Sequence, residues 1–202
     1  MSKLIKASLG MFIITLVSKI LGMFREMVLA YKYGASYITD AFIISNTLPT
    51  VIFSIILSGI TRSYIPIYSR IKSDDEKRKF NYNVMTSMIL ISALLMLIFL
   101  YGREFIVKLL APGFDEKTFE LALQMTSIIL LLLPIKAMFN VLAAYLNSIE
   151  SFLILSFCNF IIINIFDILG IYLSSANKTL IIPIFYVLGE LFALIILWIH
   201  SY

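Results

Sequence analysis

Charged side chains, among them Lys19, Arg25, Glu26, Asp40 and Arg62, interrupt a largely apolar run between Ser18 and Pro66. A charge at bilayer depth costs at least a few kcal/mol, so such residues usually face protein or a watery cavity and mark a transport path. The first expectation is a membrane protein that moves something polar. At about 100° per residue, Ser18, Gly22 and Arg25 fall on one helical stripe, and Lys19 and Glu26 on a neighbouring one. The stripes meet at Gly22, where a helix can bend or be approached closely. If the helix starts near Ala7, Lys19 lies near mid-membrane and Arg25 ~9 Å further along. Two cations at different depths favour a cavity face, against the plainer reading in which Arg25 snorkels or pairs with Glu26 and Lys19 pairs with an acid on another helix.

Asp40 has a local explanation: it follows Thr39 and precedes the apolar run Ala41-Phe42-Ile43-Ile44, where a helix N-cap belongs. Pro49 should kink the helix that follows, because its ring removes a backbone donor and crowds the preceding turn. Such kinks are common packing features of membrane helices, with a hinge as the functional alternative. Further on, Lys136, Asp167 and Glu190 lie inside apolar stretches. They could pair with one another or with Lys19, structural pairing being the favoured reading and ion coupling the minor one.

The elements that must position these residues are set by composition. The chain has 202 residues, 61% hydrophobic and 14% charged, with a mean hydropathy of +0.99, well outside the balance of a soluble domain. Six apolar stretches, about 7–30, 40–67, 83–101, 118–147, 152–174 and 179–200, each approach or exceed the ~20 residues that cross the hydrocarbon core. Such spans should be helical, so the expected fold is an all-α integral membrane protein forming a single lobe of six transmembrane helices. The first stretch is too long for the apolar region of a cleaved signal peptide. Segment 103–118, with Phe105, Ile106, Leu109 and Leu110 at helical spacing before Ala111-Pro112-Gly113, reads as a short amphipathic turn at the interface.

Lys3 and Lys6 precede the first stretch, and Arg70, Lys72, Lys77, Arg78 and Lys79 fill the second loop. That places the N-terminus in the cytoplasm, although Arg103, Lys108 and Lys117 in the third loop run against the rule. The +4 charge suits this pattern and needs no nucleic-acid partner. Enzymatic chemistry has little to work with. His200 is the only histidine and Cys158 the only cysteine, and the glycines form no phosphate-binding loop. Neither catalysis nor a metal or other cofactor is expected.

The ordered set Ser18-Lys19-Ile20-Leu21-Gly22-Met23-Phe24-Arg25-Glu26, Tyr33-Gly34-Ala35, Thr39-Asp40-Ala41-Phe42, Leu48-Pro49 and Ile65-Pro66 resembles the opening of the MurJ (MviN) lipid II flippases. Leu110-Ala111-Pro112-Gly113-Phe114 and Leu146-Asn147 are similar to later positions of that family. The resemblance implies the N-terminal lobe of a multidrug/oligosaccharidyl-lipid/polysaccharide exporter, whose two lobes enclose a cationic cavity. Such a protein sits in the bacterial inner membrane and flips undecaprenyl-pyrophosphate-linked sugar-peptide to the outer leaflet by alternating access. A diphosphate calls for fixed cations, and arginine binds phosphate oxygens bidentately. The resemblance implies substrate-binding roles for Arg25 and Asp40. It implies one for Lys19 too, in place of the family's usual arginine, keeping the charge but losing the planar fork.

Two departures stand beside it. The family's arginine pair after the Leu-Pro of the second helix is absent, since 50–61 contains no basic residue and Arg62 lies about nine residues, or ~13 Å, beyond. The chain also resembles one lobe only. It is expected to need a second lobe or another copy of itself beside it, with lipid-linked oligosaccharide pyrophosphate and membrane lipids as its other partners. The alternatives are a flippase for another polyprenyl-linked polysaccharide unit and a truncated, non-transporting membrane protein.

Overall fold

The computed structural model describes residues 3–149 and 151–201, with side chains for 9–47, 50–51, 63–149 and 151–201. Helices α1 (Lys3–Tyr33), α2 (Tyr37–Arg70) and α3 (Asp74–Tyr101) are joined by short links, and α4 (Arg103–Leu110) follows at once. Then come α5 (Glu116–Ile129), α6 (Leu132–Ser148), α7 (Phe152–Phe157), a π-helical turn (Cys158–Ile162), α8 (Ile163–Leu173) and α9 (Ile181–Ser201). No strand occurs among the described residues. Pro49 and Arg62 lie outside the described side chains.

Four segments, 74–101, 116–148, 152–173 and 181–201, are long and apolar enough to cross a membrane. Helix α3 buries only Ser92, and leaves Leu90, Leu94 and Leu97 exposed. A face of that size is tolerated by acyl chains and not by water. Helices α1 and α2, with 31 and 34 residues, are long enough at 1.5 Å per residue to pass ~30 Å of hydrocarbon. The fold is a helical lobe of a membrane protein.

The core lies where α6, α8 and α9 meet. Leu142, Leu146, Ile163, Ala193 and Leu197 form one buried cluster, and α5 adds Met125 and Ala122 to a second that reaches α1 and α2. Close approach between α8 and α9 uses small residues, as membrane helices require when no hydrophobic force drives them together. A Cβ at Gly189 would stand 2.7 Å from Phe166 Cβ, and one at Gly170 2.5 Å from Phe185 Cβ. Gly22, read from sequence as the place of close approach, is roomier: a Cβ there would meet only Asn164 Oδ1, at 3.8 Å.

Three local expectations need correction. The 118–147 stretch is two helices, because Pro134 has no N–H to return to the Leu130 carbonyl. Leu133 N donates there instead at 3.0 Å, tightening the turn around 130–131. Asp40 is not the N-cap. Helix α2 begins at Tyr37 with extended Ser36 as its cap residue, and Asp40 sits in the first turn with its N–H donating to the Ser36 carbonyl. The start is early because Gly34, at φ 57, closes α1 by donating to the Ala30 carbonyl, leaving only a short link. Segment 103–110 is a full helix, and its buried side chain is Val107, at 1% exposure, while Phe105 and Leu109 point outward. The wedge between α4 and α5 admits one branched side chain on the face opposite those two.

Candidate functional site

A band of intramembrane charge crosses the lobe at one depth. Arg25 precedes the end of α1 by eight residues, Asp167 the end of α8 by six, and Glu190 follows the start of α9 by nine. At 1.5 Å per residue all three lie ~9–14 Å from the same end of the bundle. That end is tied by Lys32, whose ammonium donates to the carbonyls of Ile171 (2.9 Å), Tyr172 (2.7 Å) and Ser174. A cation on orphan carbonyls at a helix C-terminus satisfies them and the helix dipole together. This lock sets the axial register of α1 against α8.

With that register, Arg25 meets Asp167. Arg25 Nη1 donates to Asp167 Oδ2 at 3.0 Å, and Nη2 donates to Glu26 Oε1 at 2.6 Å. The guanidinium side chain is 30% exposed, Glu26 61% and Asp167 4%. Asp167 Oδ1 has no hydrogen-bond partner. One arginine fork therefore joins an acid inside the lobe to one on its surface, with further N–H groups in hand.

The second pair lies deeper. Lys136 on α6 donates to Glu190 on α9, itself 2% exposed. Both lie within electrostatic reach of Asp167 and of Tyr186, beside which stands Asn46 on α2. Helices α1, α2, α6, α8 and α9 thus contribute to one buried polar band. Buried charge of this kind persists only when paired, which explains why Asp167 and Glu190 are tolerated in the core, each matched to a cation.

The sequence-derived residues separate into two groups. Arg25, Glu26, Lys136, Asp167 and Glu190 are brought together. Lys19 and Asp40 are not: both are exposed, and neither has an ion-pair partner among the described residues. The stripe of Ser18, Gly22 and Arg25 turns toward α8, with Ser18 buried, whereas the Lys19 stripe faces out. Asn46 and Tyr186 escaped sequence reading because a lone amide and a lone phenol in apolar helices carry no spacing signal. Arg25 and Asp167 were both singled out, but a separation of 142 residues hides their pairing. At the other end of the bundle, Tyr64, Lys77, Arg78, Tyr145 and Trp198 line an open cavity of about 700 Å³ outside the charge band.

The fold and its charge band define one lobe of a polytopic helical membrane protein. The sequence profile of the family described as lipid II flippase MurJ matches residues 29–201, and the chain belongs to that family. A probable lipid II flippase MurJ of Buchnera aphidicola subsp. Baizongia pistaciae is 36% identical over 115 residues, covering 55% of this chain and 22% of the relative. The lipid II flippase MurJ of Thermosipho africanus is 33% identical over 107 residues, covering 52% of this chain and 22% of the relative. A solved lipid II flippase MurJ in an inward closed conformation superposes with a TM-score of 0.81 at 28% identity, over 95% of this chain and 41% of that one. The chain thus spans less than half the length of these relatives, and it is a multi-pass protein of the bacterial inner membrane.

Proposed function

We propose that this chain is the N-terminal lobe of a lipid II flippase, moving undecaprenyl-pyrophosphate-linked sugar-peptide across the inner membrane by alternating access. What carries the reading is Arg25, a partly exposed guanidinium at membrane depth on a helix whose lower half presents Lys19 to the outside of the lobe. Its N–H fork suits a phosphate oxygen pair, and Lys19 adds a point charge at a second depth. Asp40, exposed in the first turn of α2, is the third residue assigned to the substrate face. The cavity forms between this lobe and a second one, as sites at the interface of repeats do. The N-terminus is cytoplasmic, with Arg70, Lys72, Lys77, Arg78 and Lys79 on the same side.

The test uses a complete transporter carrying this lobe. Arg25→Ala should abolish flipping of lipid II while leaving membrane insertion and expression intact. Normal flipping by that variant would remove the assigned role of Arg25. Replacing the cargo with a different polyprenyl-pyrophosphate-linked glycan, and finding that it alone is flipped, would shift the substrate while keeping the cation.

A further inference from the structure

We propose that Asp167 is a positioning residue that competes with the substrate diphosphate for Arg25, holding the guanidinium inside the lobe until a phosphate oxygen takes its place. This rests on the reading of Arg25 as a substrate contact. The geometry has three parts. Asp167 is 4% exposed and spends only Oδ2 on Arg25, leaving Oδ1 with no hydrogen-bond partner. Arg25 is 30% exposed, so its fork is reachable from outside while one end of it is committed inward. Helix α1 packs against α8 and the 152–162 segment and barely against α2, so Arg25 faces the interior of its own lobe. A cation already neutralised by Asp167 and Glu26 offers little net attraction to a diphosphate unless one carboxylate lets go.

Asp167 is the carboxylate whose release has a consequence. Glu26, largely in contact with the outside, can remain beside Arg25 or turn away. Asp167, once Nη1 has moved to a phosphate oxygen, is a buried carboxylate with both oxygens unpaired, which is too costly to persist as an anion. It then takes a proton from solvent on one oxygen and becomes a neutral acid. The groups facing it are Arg25 on α1, itself also paired with Glu26, Lys136 on α6, and Glu190 and Tyr186 on α9. Lys136 is engaged by Glu190, so it does not swing over to replace Arg25. Diphosphate binding is thereby linked to the uptake of one proton, and Asp167 sets how tightly an empty lobe accepts its cargo.

The experiment uses a complete transporter carrying this lobe, in lipid nanodiscs, with farnesyl pyrophosphate as probe and farnesol as control. Wild type should bind the pyrophosphate and Arg25→Ala should not. Asp167→Asn should bind it roughly tenfold more tightly, the scale of one charge-assisted hydrogen bond no longer competed for, and Asp167→Glu should return it toward wild type. A residue that merely braced the lobe would weaken binding when removed, so weaker or unchanged affinity in Asp167→Asn overturns the proposal. Failure of wild type to bind, or binding untouched by Arg25→Ala, overturns the reading of Arg25 beneath it. A second measurement needs no variant: dicyclohexylcarbodiimide reacts with buried protonated carboxyls, and mass spectrometry should find more label on Asp167 of wild type when farnesyl pyrophosphate is present. Unchanged or reduced labelling would equally overturn it.

Discussion

Lys19 and Arg25 stand six residues apart on one helix and carry the same charge, yet they belong to different parts of the molecule. Arg25 is turned toward α8 and shared between Asp167 and Glu26, while Lys19 is exposed and forms no ion pair among the described residues. The contrast extends to the acids. Glu190 and Asp167 are buried and matched with cations, whereas Asp40 is exposed in a first turn. Charge at membrane depth is thus of two kinds, one committed to holding helices together and one left available. Arg25, part buried and part exposed, belongs to both.

The largest expected effect comes from breaking the committed kind. Lys136→Ala strands Glu190 in the core, and unfolding in mixed micelles should show a loss of about 3–5 kcal/mol. Replacing both partners, Lys136→Met with Glu190→Leu, should recover most of it, because the cost lies in the orphaned charge and not in the missing pair. If the single and double variants were equally unstable, the pair would be more than a charge match.

A smaller effect separates the two glycine sites. Gly189→Val pushes a side chain into Phe166 and should cost about 1–3 kcal/mol by overpacking, read as a lowered thermal midpoint. Gly22→Ala meets only Asn164 Oδ1 at ordinary contact distance and should leave the midpoint unchanged or raised. Destabilisation at Gly22 would mean that α1 needs freedom there after all.

The available charges should show the smallest stability effects and proportionally larger functional ones. Asp40→Asn removes a carboxylate from the positive end of α2 and should cost no more than about 0.3–1 kcal/mol, yet it should impair flipping in a complete transporter. Lys19→Ala should change stability by less than about 0.5 kcal/mol, as surface substitutions do, while weakening binding of farnesyl pyrophosphate. Wild-type transport in Asp40→Asn would return Asp40 to a purely local role in starting its helix.

Much of the site was legible at the level of residue type. Charges in apolar stretches pointed to Arg25, Lys136, Asp167 and Glu190, because hydrocarbon excludes charge regardless of fold. Their partners were not legible, since Arg25 and Asp167 are brought together by the register between α1 and α8, and Lys32 fixes that register through backbone carbonyls that have no sequence identity. The break before Pro134 was half legible: proline announces a missing donor, but whether the chain kinks or re-forms the turn depends on what the freed Leu130 carbonyl finds nearby. Asp40 illustrates the opposite error. Its neighbourhood matched a cap, and the helix began three residues earlier because Gly34 ended α1 so sharply.

By itself the sequence determined that this protein is helical and lies in a membrane, since a chain this apolar can satisfy its backbone there only through helices. It also determined which side chains are too polar for lipid. The tertiary structure alone decided which of those charges are spent on one another and which remain open, because pairing is a matter of depth, rotation and register between helices distant in sequence. A buried charge takes the nearest opposite charge that the packing permits, and packing is a property of the whole lobe.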